Sequence, residues 1–206
     1  MLQKDIKQVI ISLISELDFY FVENGFLRRS NSLTYIRKLD GVTQKVEIVF
    51  FSNPSYHPGA LAHIYPHMQI YIPSVNGITK EYARHLIPSK WLDQFTIRQP
   101  IQIYSNSGDF YLLDVNDYES LKNQLLDFFK VYAMPLFNDL TSEKDYLLFY
   151  EIKDKRIIWD DNQYLYIAAA YLNEHELIKA KEVIENRFGK KGLRKKYNEV
   201  FEYFEF

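Results

Sequence analysis

Hydrophobic residues recur along this chain with two different periods, and the switches between them mark out its elements. Over residues 3–23, Ile6, Ile10, Leu13, Leu17 and Phe21 fall on one helical face, with Gly25 just beyond as a C-cap. That spacing predicts one long amphipathic helix. Strand patterning follows at once. Leu33 to Leu39 and Val42 to Phe51 flank Asp40-Gly41, a dipeptide suited to a tight hairpin turn. In the second arm Val46, Ile48 and Phe50 point one way while Lys45 and Glu47 point the other, as in a sheet with one buried face. Ser52 to Pro58 contains Asn53-Pro54 and His57-Pro58 and reads as a loop.

Met68, Ile70 and Ile72 predict a further strand, closed by Pro73 and an Asn76-Gly77 turn. A short helix is expected from Thr79 to Leu86, ending before Pro88. Phe95, Ile97, Ile101 and Ile103 resume the alternation against Thr96, Arg98, Gln102 and Tyr104, and Ser105 to Asp109 turn the chain into Phe110 to Leu113. Pro100 confines that strand to an edge or a bulge. Asn116 and Glu119 have capping-box spacing ahead of a stripe of Tyr118, Leu121, Leu125, Phe128 and Tyr132, and Pro135 is expected to bend or end this helix.

Beyond Thr141 no strand is expected. Tyr164 to Leu172 carries Ala168-Ala169-Ala170, small enough for helices to approach closely, and Asn173 with Glu176 forms a second capping-box pattern before Leu177, Ala180 and Ile184. This helix pair looks like one unit of a tetratricopeptide-type repeat. Such repeats need about three copies to stand alone, so it is read as a helical cap. The pattern predicts an α+β fold: an antiparallel sheet of about five strands packed by the N-terminal helix and a long mid-chain helix, with a C-terminal helical tail. The expected division is an α+β domain over 1–140 and a helical subdomain over 141–206.

Composition narrows the chemistry. There are no cysteines, which excludes disulfides, thiolate metal sites and a cysteine nucleophile. The net charge of −2 favours neither nucleic acid nor a membrane surface as partner. No apolar run has the length of a membrane span or the form of a secretory signal, so a cytoplasmic protein is expected. The 17 tyrosines and 15 phenylalanines stand out; most are expected in the core or on half-buried strands, and tyrosine also suits half-wet contact surfaces.

The segment Glu23 to Arg37 joins helix to strand through Asn24-Gly25-Phe26, Arg28-Arg29 and Ser32 to Tyr35. With the Leu125 to Pro135 helix, these residues resemble an uncharacterised bacterial family catalogued as a domain of unknown function (number 4304). The likeness covers the first 140 residues in outline, interrupted by an insert from Ser52 to His67. It implies a small accessory or immunity-type protein from a bacterial toxin locus, and it brings no catalytic residues with it.

Arg28, Arg29 and Arg37 are candidates for an anion or partner patch, with Tyr35 among them. Successive strand residues face opposite ways, so Arg28 and Arg29 would need a bulge to serve one site. Trp159, Asp160 and Asp161 are the second candidate contact group. Paired carboxylates suit acid–base work or magnesium, although Asp161 also fits as the cap of a helix over 162–172. Asp114, Asn116 and Asp117 are read the same way. His57, His63 and His67 are the metal candidates, but on a strand His63 and His67 stand about 13 Å apart, too far to share one ion. The run Arg187 to Tyr197 holds six positive charges in eleven residues, and Lys190, Lys191, Arg194, Lys195 and Lys196 are its candidate nucleic-acid contacts.

No phosphate loop, nucleophile elbow or metalloprotease motif is present. The leading expectation is a non-catalytic protein that binds another protein through an aromatic and acidic surface, without a cofactor. The alternatives are an enzyme assembled from the histidines or Asp160-Asp161, and a nucleic-acid accessory protein using the 187–197 run.

Overall fold

The computed structural model describes residues 3–101 and 110–205. The expected strand positions Gln102, Ile103 and Tyr104 and the expected turn Ser105 to Asp109 lie outside the described residues. Two helices, α1 (Gln3–Ser15) and α2 (Asp18–Glu23), open the chain. A hairpin of β1 (Thr34–Leu39) and β2 (Val42–Ser52) follows, then β3 (Ala62–Tyr71), α3 (Pro73–Ala83), α4 (Ser89–Leu92), β4 (Ile97–Pro100) and β5 (Phe110–Leu112). The elements after β5 are helical: α5 (Tyr118–Phe128), a π-helical turn (Phe129–Ala133) and α6 (Met134–Asp139). Then come α7 (Glu143–Glu151), α8 (Asp161–Asn173), α9 (Leu177–Phe188), α10 (Lys191–Lys196) and α11 (Asn198–Tyr203).

The five strands form one antiparallel sheet in the order β1-β2-β3-β4, with β5 also paired to β3. Ala62, His63 and Ile64 face Leu112, Tyr111 and Phe110. Near the other end of β3, the Thr96 N–H donates to Ile70 O at 2.7 Å. Pro66 lies within β3, between these stretches. β4, which ends at Pro100, is an edge strand, as that proline requires. Among the described residues no helix is long and apolar enough to cross a membrane.

The chain divides into two compact units. One comprises Met1–Lys38, Thr43–Gln69 and Arg98–Asp139; the other comprises Leu39–Val42, Ile70–Ile97 and Leu140–Phe206. The second unit is therefore more than the tail, since it also takes in α3 and α4.

In the first unit the predicted stripe Ile6, Ile10, Leu13, Leu17 and Phe21 is buried without exception, together with Val46, Ile48, Leu125, Phe128, Phe129 and Phe137. The predicted single helix is nevertheless two. The amides of Glu16 and Leu17 bond three residues back, to Leu13 O at 3.3 Å and Ile14 O at 3.0 Å, and this tightened turn separates α1 from α2. At the end of α2 the Gly25 N–H donates to Val22 O at 2.9 Å and the Phe26 N–H to Phe21 O at 2.8 Å. This is a Schellman closure, with Gly25 at φ +79°. Its hydrophobic clasp is the contact between the Phe21 and Phe26 rings, 5.9 Å apart.

The mid-chain helix continues past Pro135 to Asp139. A proline ring collides with the carbonyl four residues back, here that of Val131, and the wider π-helical turn relieves that crowding. The expected Asn116–Glu119 box is not formed. Asp114 accepts instead from the Asn116 N–H at 2.8 Å, capping a short 3-10 turn ahead of α5. Tyr132, expected on the buried stripe, is 38 % exposed, because the π-helical turn rotates it away.

In the second unit Pro73 is the first residue of α3, which absorbs the expected Asn76-Gly77 turn. A proline at that position loses no bond and has its φ already set. Asn76 is buried. It donates to Leu92 O at 2.8 Å and Phe95 O at 3.1 Å, while Thr96 Oγ1 donates to Asn76 Oδ1 and accepts from the Ile72 N–H at 2.9 Å. Gln163 extends the network, donating to Thr96 O at 2.8 Å and accepting from the Tyr146 hydroxyl at 2.7 Å. Ala168, Ala169 and Ala170 are fully buried on α8, which packs against α3 and α9. The second expected capping box also fails. Asn173 is the last residue of α8, and Glu176 makes no side-chain cap bond. An unforeseen cap opens α7, where Ser142 Oγ accepts from the Asp145 N–H at 3.1 Å.

Candidate functional site

The first unit's hairpin segment gathers four of the predicted site residues, Arg28, Arg29, Tyr35 and Arg37, but in unequal roles. Arg28 grips Asp18, the first residue of α2, through two parallel bonds: Nε to Oδ1 at 2.7 Å and Nη2 to Oδ2 at 2.9 Å. Nη2 also reaches Ser15 Oγ at 2.6 Å. Nη1 donates to the carbonyls of Arg29 at 3.2 Å, Ser30 at 2.8 Å and Ser32 at 3.2 Å. A planar guanidinium with five donors can do this; a lysine cannot. Only 3 % of the Arg28 side chain remains exposed. Burial works against its charge, but the bonds with Asp18 and Tyr35 outweigh that and raise its pKa.

Tyr35 completes the knot. Its hydroxyl lies 2.6 Å from both Ile14 O and Asp18 Oδ1, and its ring stacks on Phe21 at 3.8 Å. Burial, followed by the Asp18 carboxylate, pushes its pKa well above the usual phenol value. Tyr35 is thus a core residue and not a surface anchor, because β1 turns it inward.

Arg37 also turns inward. It donates from Nε to Gln44 Oε1 at 2.6 Å and from Nη1 to Asn24 O at 3.1 Å and Asn138 Oδ1 at 2.8 Å, over the Phe26 ring at 4.7 Å. A Cβ on Gly25 would meet Arg37 Cδ at 3.3 Å, a second reason for glycine there. Arg37 Nη2 is buried without a partner, and burial lowers the pKa of the group.

Arg29 does the opposite. It is exposed and makes no side-chain bond among the described residues, and the same holds for Lys38. Between them lie Leu27 and Ile36, which exchange backbone bonds of 2.9 Å and 2.8 Å as an isolated antiparallel pair. Their side chains are 65 % and 37 % exposed. Together with Ser32 and Thr34 these residues line an open cleft of about 630 Å³ whose lining contains no acidic side chain. Arg28 and Arg29 both border it, yet only Arg29 is available to a ligand. Leu27, Ile36 and Lys38 were not foreseen as site residues. The available signal was Ile36, an apolar residue between Thr34 and Lys38 on what is otherwise the polar face of β1.

In the second unit Trp159, Asp160 and Asp161 separate into three tasks. Asp160 Oδ1 accepts from the Gln163 N–H at 2.9 Å, so the cap of α8 is Asp160, one residue earlier than expected. Asp161 accepts from Arg187 at 2.9 Å and 2.7 Å and from the Tyr197 hydroxyl at 3.0 Å. Burial would raise its pKa, but those bonds outweigh it and hold the carboxyl below its usual value. The Trp159 indole N–H donates to Asp154 O at 3.0 Å. The paired carboxylates do not converge.

The basic run is likewise divided. Arg187 is bound to Asp161, and Arg194 meets Glu185 at 2.8 Å while lying over the Phe201 ring at 4.1 Å. Lys196 lies 3.3 Å from the Tyr197 hydroxyl. Lys190, Lys191 and Lys195 stand exposed on and beside the short α10.

Of the three candidate histidines, His63 and His67 lie on β3 and His57 on the loop before it, with tyrosines between them. His57 stacks on Tyr111 at 4.0 Å, Tyr111 on His63 at 4.5 Å, and the Tyr65 ring stands 4.5 Å from His63 and 6.2 Å from His67. His63 Nδ1 lies 2.7 Å from the Tyr56 hydroxyl. Burial, then Arg98, lowers the pKa of His67. Among the described residues no group of three or more histidine or acidic side chains is placed to hold a metal ion. No protein-family model, curated protein or solved structure matches this chain.

Proposed function

We propose that this chain is a non-catalytic binding protein whose partner is another protein, and that it acts as an immunity-type protein that occludes a toxin. The family likeness of its Asn24-Gly25-Phe26 and Arg28-Arg29 segment belongs to the same proposal. One observation carries the reading. Arg28 and Asp161, two of the candidate contact residues, are bonded into the scaffold, whereas Leu27 and Ile36 stand exposed in an open cleft. An apolar floor open to water beside exposed charge suits contact with a partner surface. At this cleft the free charges are Arg29 and Lys38, so its contact surface is cationic.

The test is affinity purification of the tagged chain from its native host, followed by co-expression with any protein that it retains. The reading predicts a stoichiometric protein partner whose toxicity the chain suppresses. A preparation that carries no protein partner overturns it.

A further inference from the structure

We propose that the cleft bordered by Arg29 and Lys38 docks an extended acidic segment of the partner protein, in the pattern acidic residue, spacer, apolar residue, spacer, acidic residue. The proposal rests on the reading of this chain as a protein-binding protein and gives that reading its partner chemistry.

Leu27 and Ile36 face each other as an antiparallel pair, so their side chains share one face and form one apolar floor. Lys38 lies two residues beyond Ile36 on β1, about 7 Å along the strand. Arg29 lies two residues beyond Leu27, on a segment running the opposite way. The two cations therefore flank the apolar pair from opposite ends, about 13 Å apart along the strand direction. An extended peptide with one apolar side chain over Leu27 and Ile36 brings residues two positions either side of it to the same face, at the same spacing.

Charge selects the same occupant. The whole chain carries a net charge of −2, yet no acidic residue lines this cleft. Arg28 is neutralised by Asp18, which leaves Arg29 and Lys38 as the charge presented to a ligand. Arg28 is a positioning residue. By holding the carbonyls of Arg29, Ser30 and Ser32 it fixes the loop that carries Arg29, so little ordering is required on binding. A nucleic acid fits less well. Two phosphate contacts give a salt dependence of slope only about −1.4 for a single strand, and the apolar floor meets nothing in a phosphate backbone.

A phage-displayed library of random 12-residue peptides, selected on the wild-type chain, tests this directly. The expected consensus has an aliphatic or aromatic residue with Asp or Glu two positions to each side. A synthetic peptide of that consensus should bind the wild type and weaken about tenfold or more on Arg29→Glu/Lys38→Glu. On Leu27→Ser the same peptide should lose its preference for an apolar centre. All three positions are exposed, and an unchanged circular dichroism spectrum verifies that each variant is folded.

An absence of enrichment, a consensus without acidic excess, or binding that ignores Arg29 and Lys38 overturns the proposal. So does tighter binding of vesicles containing phosphatidylglycerol, or of a 20-nucleotide single strand, through the same two residues. If affinity purification yields a partner that is retained by Arg29→Glu/Lys38→Glu, the cleft assignment fails and the protein-binding reading survives. If no partner is found at all, it is that reading which fails.

Discussion

The segment 28–38 and the segment 187–196 are both rich in lysine and arginine, and their local structures differ in what the cations do for one another. In the first, Arg28 turns inward, takes Asp18 bidentately and holds three carbonyls of the loop that presents Arg29. In the second, Arg187 and Arg194 are held by Asp161 and Glu185, and the lysines stand on a helix of six residues in which none is buried. One stretch uses a buried cation to aim a free one across an apolar floor; the other is a solvated face. Charge density alone does not separate these cases, but side-chain engagement does.

The sharpest way to break this contrast is Arg28→Ala. It leaves Asp18 without its cationic partner and frees three loop carbonyls, and it should lower stability by about 3 kcal/mol in urea titration. In the residual folded protein, affinity for the acidic peptide should fall as well, because the loop carrying Arg29 is released. A loss of stability with unaltered affinity would mean that Arg28 has no part in positioning Arg29.

The second unit provides the control. Asn76→Ala removes a buried amide that satisfies two carbonyls and accepts from Thr96, and should cost about 2 kcal/mol. Peptide affinity of the folded variant should not change.

A smaller effect is read through pH. Glu143 accepts from Ser74 Oγ at 2.6 Å and Asn173 Nδ2 at 3.0 Å, while its Oε1 is buried without a partner. Burial raises its pKa, so its charged form is disfavoured in the folded state. The resulting penalty is absent below the ordinary carboxyl value of about 4.5 and appears as pH rises through the raised folded pKa. Glu143→Gln should therefore gain most over the wild type at pH 7, and the gain should vanish near pH 4.5. A difference that is flat with pH would show that the carboxyl is not perturbed.

The smallest effect belongs to the solvated run. Replacing Lys190, Lys191, Lys195 and Lys196 together by Gln should shift stability by less than about 0.5 kcal/mol, as exposed charges do. Binding of the acidic peptide should be unaltered. A large loss of salt-dependent binding to RNA or DNA in this variant would make the second segment a site after all.

Much of the fold was legible in the residues. The stripe from Ile6 to Phe21, the Asp40-Gly41 hairpin and the alanine triplet each report a local periodicity that burial then obeys. Two of the misreadings, at Pro73 and at Glu16-Leu17, share a cause: local rules were overridden by neighbours distant in sequence. Pro73 opens a helix because Thr96 and Asn76 complete its start. Pro135, expected to bend or end its helix, is met by a local π-helical turn, and the helical run continues to Asp139. Glu16-Leu17 breaks a predicted helix at the place where Tyr35 claims the Ile14 carbonyl.

The site was legible only in part. Arg28, Arg29 and Arg37 were visible as a cluster, but their division into buried and free depends on Asp18, Asn24, Gln44 and Asn138, which no spacing rule connects to them. Ile36 was visible as an apolar residue out of pattern. Its meaning depended on Leu27 lying opposite.

The account stands or falls on whether Arg29 and Lys38 hold the partner. Affinity purification from the native host should be run in parallel with the wild type, Arg29→Glu/Lys38→Glu, and the quadruple Gln variant of Lys190, Lys191, Lys195 and Lys196. The account predicts equal partner recovery for the wild type and the quadruple variant, and loss of the partner from Arg29→Glu/Lys38→Glu. Equal recovery with all three, or loss confined to the quadruple variant, would contradict it.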